Sequence, residues 1–159
     1  MKAHKPSNDN AIEAVKEFLF SYRTAIKEKE SWENRLKSIM NNISISVDYN
    51  RVQSSNKNIT SSVENYVVNK EKLEAKILVI TNKAICVCDD IISVIETLPD
   101  IEDRKLLYLY YVDCKEWWEV ENEMFISKAT VFRRLNKIIK KLLQDSKAIE
   151  IMKKYNVKP

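Results

Sequence analysis

Apolar residues between positions 63 and 98 recur at alternating intervals of three and four, the spacing of one face of a long α-helix. With one lysine among them, these positions are Val63, Tyr66, Lys70, Leu73, Ile77, Ile80, Ala84, Val87, Ile91, Val94 and Leu98. A heptad pattern of this length predicts a coiled-coil seam, along which we expect Ile77, Ala84, Ile91 and Leu98 to be buried. Pro99 predicts the end of the helix, because proline disfavours a helical conformation in the preceding residue.

The seam requires an apolar partner, and the chain offers two. One is the segment from Ala11 to about Asn42, where apolar residues also fall three or four apart and predict a second long helix. The other is the same seam in a second copy of the chain, which would form a homodimer through residues 63–98. An intramolecular hairpin and a dimer both satisfy the pattern.

Two polar segments border these helices. Residues 1–10 predict a flexible tail. Residues 44–62 are rich in Ser and Asn and predict a loop between the two long helices. Near the start of this loop, the alternation of Ile43, Ile45, Val47 and Tyr49 is typical of an extended backbone.

After Pro99 the helical patterns become short. Residues 101–114, 115–125 and 127–143 predict three helices with tight connections, which is typical of a helix-turn-helix unit. Residues 146–159 predict a further short helix or a tail. The predicted organisation is therefore an interaction region over 11–98 and a DNA-binding domain over 99–145.

Composition supports an all-α fold and argues against several function classes. The 159 residues include no glycine, which the tight turns of an all-β fold normally need. We find no glycine-rich phosphate loop and no nucleophile beside a base, so we predict neither an enzyme nor a cofactor. His4 is the only histidine, and the spacing of Cys86, Cys88 and Cys114 fits no zinc site. No apolar run approaches the roughly 20 residues of a membrane span, and no signal peptide is apparent, so a cytoplasmic location is expected.

The segment Met124–Leu143, "MFISKATVFRRLNKIIKKLL", contains six basic residues and no acidic one, although the whole chain carries only +4. We predict a helix capped by the Ser127 hydroxyl. Its apolar stripe of Val131, Leu135, Ile138 and Leu142 would pack on Val120, Met124, Ile126 and an aromatic residue of "LYLYYV". Solvated helix faces usually mix charges of both signs, and the preceding "EWWEVENEM" is acidic, so we interpret the basic face as directed towards double-stranded DNA.

The small, polar first turn of this helix can reach base edges in a major groove, and the following basic residues can neutralise phosphates. We expect Lys128 and Arg133 to read bases, and Lys140 and Lys141 to contact phosphate. The predicted DNA-facing residues are Ser127, Lys128, Ala129, Thr130, Arg133, Arg134, Asn136, Lys137, Lys140 and Lys141.

The stretch "YYVDCKEWWEVENEMFISKATVFRRLNKIIKKL" resembles the region-4 helix-turn-helix of sigma factors. Upstream, "DYNRVQSS" (residues 48–55) is similar to an element of the ArpU/RinA-like late-gene transcriptional regulators of Gram-positive phages and prophages, whose layout of helical half, loop, long helix and C-terminal domain also matches. Two positions depart from the helix-turn-helix pattern. Glu121 stands where alanine is usual, and Phe125 stands where the turn usually has glycine, so we expect either an opened turn or a Phe125 ring that plugs the core.

The resemblance implies a regulator that binds promoter DNA and contacts RNA polymerase. Two other functions fit the same pattern of elements. One is a DNA-packaging adaptor similar to a phage small terminase subunit, and the other is a helical module that binds and inhibits a partner protein. The C-terminal position of the basic helix favours the regulator, since terminase small subunits more often carry that unit at the N-terminus.

Overall fold

A computed structural model of the protein describes the backbone of residues 8–46 and 57–157, and the side chains of residues 10–41 and 64–157. The described backbone is helical and contains no strand, which confirms the all-α prediction. In the part of the chain that the structure describes, two long helices precede four short ones: α1 Asn8–Ser46, α2 Lys57–Glu96, α3 Ile101–Leu107, α4 Trp117–Met124, α5 Lys128–Leu142 and α6 Ser146–Met152. A π-helical turn, Tyr108–Val112, continues α3, and a 3-10 turn, Lys153–Tyr155, follows α6.

The long helices extend beyond their predicted ends. Helix α1 begins at Asn8, inside the predicted tail, and both long helices enter the predicted loop 44–62. Ile43 and Ile45 are helical, so the predicted extended backbone is wrong at these two positions. Adding residues to an existing helix costs less than starting a new element, so a short alternation of apolar residues does not end it. The predicted extended residues Val47 and Tyr49, and the motif "DYNRVQSS" at 48–55, lie outside the described residues.

Within the described residues, those up to Thr24 and those from Ala84 onward form one compact unit, and Ala25–Lys83 belong to a second. The core of the first unit draws apolar side chains from α1, from the end of α2 and from every later helix. Its fully buried members include Val15, Leu19, Ile91, Val94, Ile95, Leu106, Leu107, Val120, Ile138, Leu142 and Met152. Residues on both sides of the predicted boundary between the interaction region (11–98) and the DNA-binding domain (99–145) therefore share one core.

The predicted seam of α2 matches the observed burial in the first unit. Ala84, Val87, Ile91, Val94 and Leu98 are all buried. In the second unit the seam positions with described side chains are only half-buried, namely Tyr66, Lys70, Leu73, Ile77 and Ile80. The prediction that Ile77 is buried is therefore wrong, because two helices alone cannot enclose a side chain as a multi-helix core does.

Among its described residues, the second unit combines a cross-helix aromatic contact with several exposed apolar side chains. The ammonium of Lys76 on α2 lies 3.6 Å from the ring centroid of Trp32 on α1, and the guanidinium of Arg35 lies 4.4 Å from the same centroid. Leu78 and Val79 on α2 are 61% and 67% exposed. This unit is therefore held by a thin apolar seam and by cation–π contacts.

The C-terminal segment, a helix followed by a 3-10 turn, packs within the first unit. The Tyr155 hydroxyl donates to Oδ2 of Asp90 at 2.8 Å, and the Lys154 ammonium lies 3.0 Å from Oδ1 of the same carboxylate. The Tyr155 ring lies 4.6 Å from the ring of Phe18. Of the two structures predicted for residues 146–159, the helix is observed over Ser146–Met152.

Candidate nucleic-acid interface

Helix α4 is oriented by a buried arginine from α1. The Arg23 guanidinium donates to the carbonyl oxygens of Tyr110 at 3.3 Å and Lys115 at 2.9 Å, and it pairs with the Glu116 carboxylate. Tyr110 belongs to the π-helical turn, and Lys115 and Glu116 immediately precede α4, so one side chain fixes both ends of the connection. Arg23 follows Leu19 by four residues, which places it on the buried face of α1 and could have indicated a buried charge.

The turn between α4 and α5 is closed by a residue that strains the backbone. Phe125 has φ 54° and ψ 39°, the left-handed region, and its N–H and that of Ile126 both donate to the Glu121 carbonyl. The Phe125 ring is 93% exposed. Both alternatives expected for this position are therefore wrong, because the turn is closed and not opened, and the ring does not plug the core. Met124 and Ile126, as predicted, are the residues of this turn that pack against the core.

Glu121 explains one departure from the helix-turn-helix pattern. Its carboxylate accepts a hydrogen bond from the backbone N–H of Lys128, the first residue of α5. Ser127 occupies the N-cap position as predicted, but its side chain does not cap the helix. Its hydroxyl instead lies 3.0 Å from the Thr130 hydroxyl. The acid of α4, rather than the serine, thus satisfies an open N–H at the start of α5.

The other acids of α4 and its N-cap also have local partners. Glu116 pairs with Arg23, as described above, and the Glu119 carboxylate accepts from the Glu116 N–H at 2.7 Å. Glu123 pairs with the Lys115 ammonium. The acidic side chains of this segment therefore form contacts that fix α4 to the residues around it.

Helix α5 separates apolar and basic side chains between two faces. The predicted apolar stripe is confirmed, since Val131, Leu135, Ile138 and Leu142 are buried, and Ile139 is a fifth buried residue that the sequence analysis missed. Seven of the ten predicted DNA-facing residues are exposed: Ser127, Lys128, Ala129, Arg133, Asn136, Lys137 and Lys140. Thr130, Arg134 and Lys141 are half-buried.

Two of the predicted DNA-facing cations contact a buried acid instead. The Asp103 carboxylate on α3 is 3% exposed and accepts from Nε of Arg134 at 2.7 Å and from the Lys141 ammonium at 2.6 Å. Burial by itself would raise the pKa of Asp103, but the hydrogen bonds and charges of Lys141 and Arg134 outweigh it and hold that pKa below its usual range. Asp103 precedes the buried residues Leu106 and Leu107 by three and four positions, and this spacing could have indicated its burial.

An open depression of about 320 Å³ lies along this ion-pair cluster. Its lining combines acids of α3 with polar and basic residues of α5: Asp100, Asp103, Thr130, Arg133, Arg134, Lys137 and Lys141. The acids are matched by Arg134 and Lys141, with the Arg134 guanidinium also 3.7 Å from Asp100. Arg133 and Lys137, which are exposed, add positive charge to the same depression.

The first side chain of α5 contacts the first side chain of α4. The Lys128 ammonium lies 3.9 Å from the ring centroid of Trp117, within the range of a cation–π interaction. The sequence analysis predicted Lys128 as a base-reading residue and missed Trp117. No pattern in the sequence indicates this pair, because it depends on how the two helices are placed by the turn.

The part of the chain that the structure describes presents neither a metal-binding cluster nor a membrane-spanning helix. No cluster of three His, Cys, Asp or Glu side chains there could hold a metal ion. Over the same residues, no helix combines the length and the apolar character required to cross a membrane. Cys86 is exposed, and Cys88 and Cys114 are half-buried.

Comparison with known proteins identifies a family. No curated protein and no solved structure matches the chain significantly. Residues 43–143 match the family profile DUF1492, described as "Protein of unknown function". This range runs from the end of α1 through the last turn of α5 and covers more than half of the sequence. The chain therefore belongs to the DUF1492 family.

Proposed function

We propose that the protein is a sequence-specific, DNA-binding transcriptional regulator of phage or prophage type that acts in the bacterial cytoplasm. In this proposal α4 and α5 form a helix-turn-helix, and the exposed face of α5 enters the major groove of promoter DNA. The observation that carries the proposal is the division of α5 into a buried apolar face and an exposed basic face.

The charge on the exposed face supports a phosphate-rich partner. Lys128, Arg133, Lys137 and Lys140 are exposed, and α5 contains no acid. Lys137 and Lys140, whose positions on α5 suit phosphate contacts, would release counterions on binding, so a plot of the logarithm of the binding constant against the logarithm of salt concentration should have a slope of about −2 per copy.

The exposed residues divide by position along α5. Ala129 and Lys128 stand in the first turn beside Thr130, and Arg133 follows in the second, where side chains of a reading helix reach base edges. Arg133 can donate to two acceptors of guanine. Lys137 and Lys140 stand one to two turns further on and are assigned to phosphate contacts, which position the protein without reading sequence.

The test is selection of bound fragments from genomic DNA by the full chain, followed by titration on the selected site and on a scrambled duplex. We expect an enriched promoter-like site and tighter binding to it by about a thousandfold or more. A matched control is Lys83→Ala, which removes an exposed cation outside α5. Equal binding to both duplexes, or an equal loss in Lys83→Ala and Arg133→Ala, would contradict sequence reading by α5.

The exposed apolar side chains of the second unit favour self-association, and with it a second candidate function. Val67, Val68, Leu78 and Val79 on α2 are exposed, and burial of such residues would stabilise a homodimer.

A regulator is expected to be a monomer or dimer that also contacts RNA polymerase. A DNA-packaging adaptor would assemble into a ring, so light scattering that shows a large ring would favour the adaptor. Absence of any DNA binding would favour a protein-binding inhibitor.

A further inference from the structure

We infer that Trp117 of α4 is a positioning residue that holds the Lys128 side chain for base recognition. The inference rests on the proposed function, because it assigns Lys128 to the DNA interface. Trp117 would then contribute to sequence selectivity through Lys128, although it belongs to α4 and not to the reading helix α5.

Lys128 is held by α4 at two points. Its backbone N–H donates to the Glu121 carboxylate, which fixes the position from which the side chain starts. Its ammonium lies 3.9 Å from the Trp117 ring centroid, which fixes the position where the side chain ends. Trp117 and Lys128 are the first residues of α4 and α5, so the contact joins the starts of the two helices.

The other exposed cations of α5 lack such support. Among the described residues, no ion pair or ring contact involves Arg133, Lys137 or Lys140. A free lysine side chain loses considerable rotamer entropy when DNA orders it. Lys128 has lost part of that freedom before binding, so less is lost when its contact with DNA forms.

The contact with the ring leaves Lys128 able to bind an acceptor. An ammonium has three N–H donors, and one ring face engages only one side of the group. The remaining donors can reach the O6 or N7 atom of guanine. Because the ring restricts the direction of the ammonium, the lysine should prefer one base-edge position over the surrounding phosphates.

Three variants separate this role from a general structural one. Trp117→Leu removes the ring face and keeps an apolar side chain. Trp117→Phe keeps a weaker ring face and protects the fold if the leucine variant is unstable. Trp118→Leu is the matched control, since Trp118 is the neighbouring tryptophan, is 52% exposed and has no ring contact with Lys128 among the described residues.

Each variant is titrated on the selected site and on scrambled DNA, alone and combined with Lys128→Met. We expect Trp117→Leu to weaken binding to the selected site about three- to tenfold and to affect scrambled DNA less, with Trp117→Phe in between. In the Lys128→Met background, Trp117→Leu should have no further effect. An equal loss on both DNAs, a loss that persists without Lys128, or an equal loss in Trp118→Leu would overturn the inference.

A DNA-free measurement separates failure of this inference from failure of the proposed function. In the NMR spectrum of the full chain, the Lys128 Cε protons should be shifted upfield by the Trp117 ring, and Trp117→Phe should reduce the shift. If the wild-type chain shows the shift but no sequence-selective binding, the proposed function fails and Trp117 has no role in recognition. If the shift is absent, the contact itself is disproved.

Discussion

The Asp103 carboxylate on α3 accepts a hydrogen bond from Nε of Arg134 on α5 at a distance of 2.7 Å. The same carboxylate accepts a hydrogen bond from the ammonium of Lys141, which lies two helical turns after Arg134 on α5. Arg134 and Lys141 therefore attach α5 to α3. The exposed cations of α5, which the proposed contact with DNA would use, are Lys128, Arg133, Lys137 and Lys140.

Replacing Asp103 should destabilise the fold. Asp103→Asn keeps the shape of the side chain but removes the charge that two cations share, and we expect a loss of about 1–3 kcal/mol in the free energy of unfolding. The measurement is urea denaturation at neutral pH. Asp100→Asn is the control, because asparagine is an equally good N-cap for α3 and because Asp100, 3.7 Å from the Arg134 guanidinium, is exposed. Equal losses in the two variants would contradict a special role for the buried acid.

The same carboxylate should make stability depend on pH. The pKa of Asp103 is lower in the folded chain than its ordinary value, because hydrogen bonds and charges from Lys141 and Arg134 outweigh the effect of burial. Its contribution is therefore complete above the unfolded pKa of about 3.9 and is lost as the pH falls through the folded pKa. Denaturation curves of Asp103→Asn should depend less on pH below about pH 4 than those of the wild type.

Three basic residues of α5 should respond differently to substitution. Arg133→Ala should weaken binding to the selected site tenfold or more, since a bidentate contact with guanine contributes about 1–3 kcal/mol of discrimination. Lys140→Ala should weaken binding to every sequence alike and lower the salt slope by about one. Lys141→Ala, which the sequence analysis assigned to phosphate, should mainly reduce stability, because its ammonium pairs with Asp103. Titrations at several salt concentrations, with parallel melting curves, distinguish the three.

A charged residue introduced into the α2 seam should destabilise the fold more where the seam is more deeply buried. Ile91 is fully buried in the first unit and Ile77 is half-buried in the second. Ile91→Asp should cost several kcal/mol because it places an unpaired charge in the core, whereas Ile77→Asp should cost clearly less. Thermal melts and light scattering of both variants test this. If Ile77→Asp is the more damaging and also changes the oligomeric state, a second copy of the chain must cover that position.

A fragment that begins at Asp100 should not fold. The core of the first unit includes Leu19 of α1 and Ile91 and Ile95 of α2, and Arg23 holds the start of α4. Without these residues the later helices would expose apolar surface that the full chain buries. Circular dichroism and amide exchange of the fragment should show little stable helix. A cooperative melting transition in the fragment would contradict this expectation and restore a boundary near residue 98.

Replacing Phe125 in the strained turn with glycine should stabilise the fold. Phe125 has φ 54° and a ring that is 93% exposed, so its side chain contributes little packing to offset the cost of the left-handed conformation. Phe125→Gly should raise stability by about 0.5–1 kcal/mol. Asn156→Gly is the control, since asparagine tolerates its observed φ of 60°. A loss of stability in Phe125→Gly would mean that the ring has a packing partner in solution, such as a second copy of the chain.

The periodic features of the chain could be predicted from the sequence. The stripe Val131, Leu135, Ile138 and Leu142 and the end of the α2 seam around Ile91 are buried where the spacing placed them. Hydrophobic burial acts on every apolar residue of a helix face, so its pattern repeats along the sequence and can be recognised without the fold. The same regularity predicted the exposed basic face of α5.

The charged contacts were decided only by the tertiary structure. Asp103 meets cations 31 and 38 residues away, and Arg23 meets acceptors 87 to 93 residues away. Lys128 and Lys141 look alike in the sequence, yet one lies on the Trp117 ring and the other on a buried acid. Each of these contacts joins single side chains on different elements and repeats nowhere along the chain. The partner of such a charge therefore depends on which helices the fold brings together.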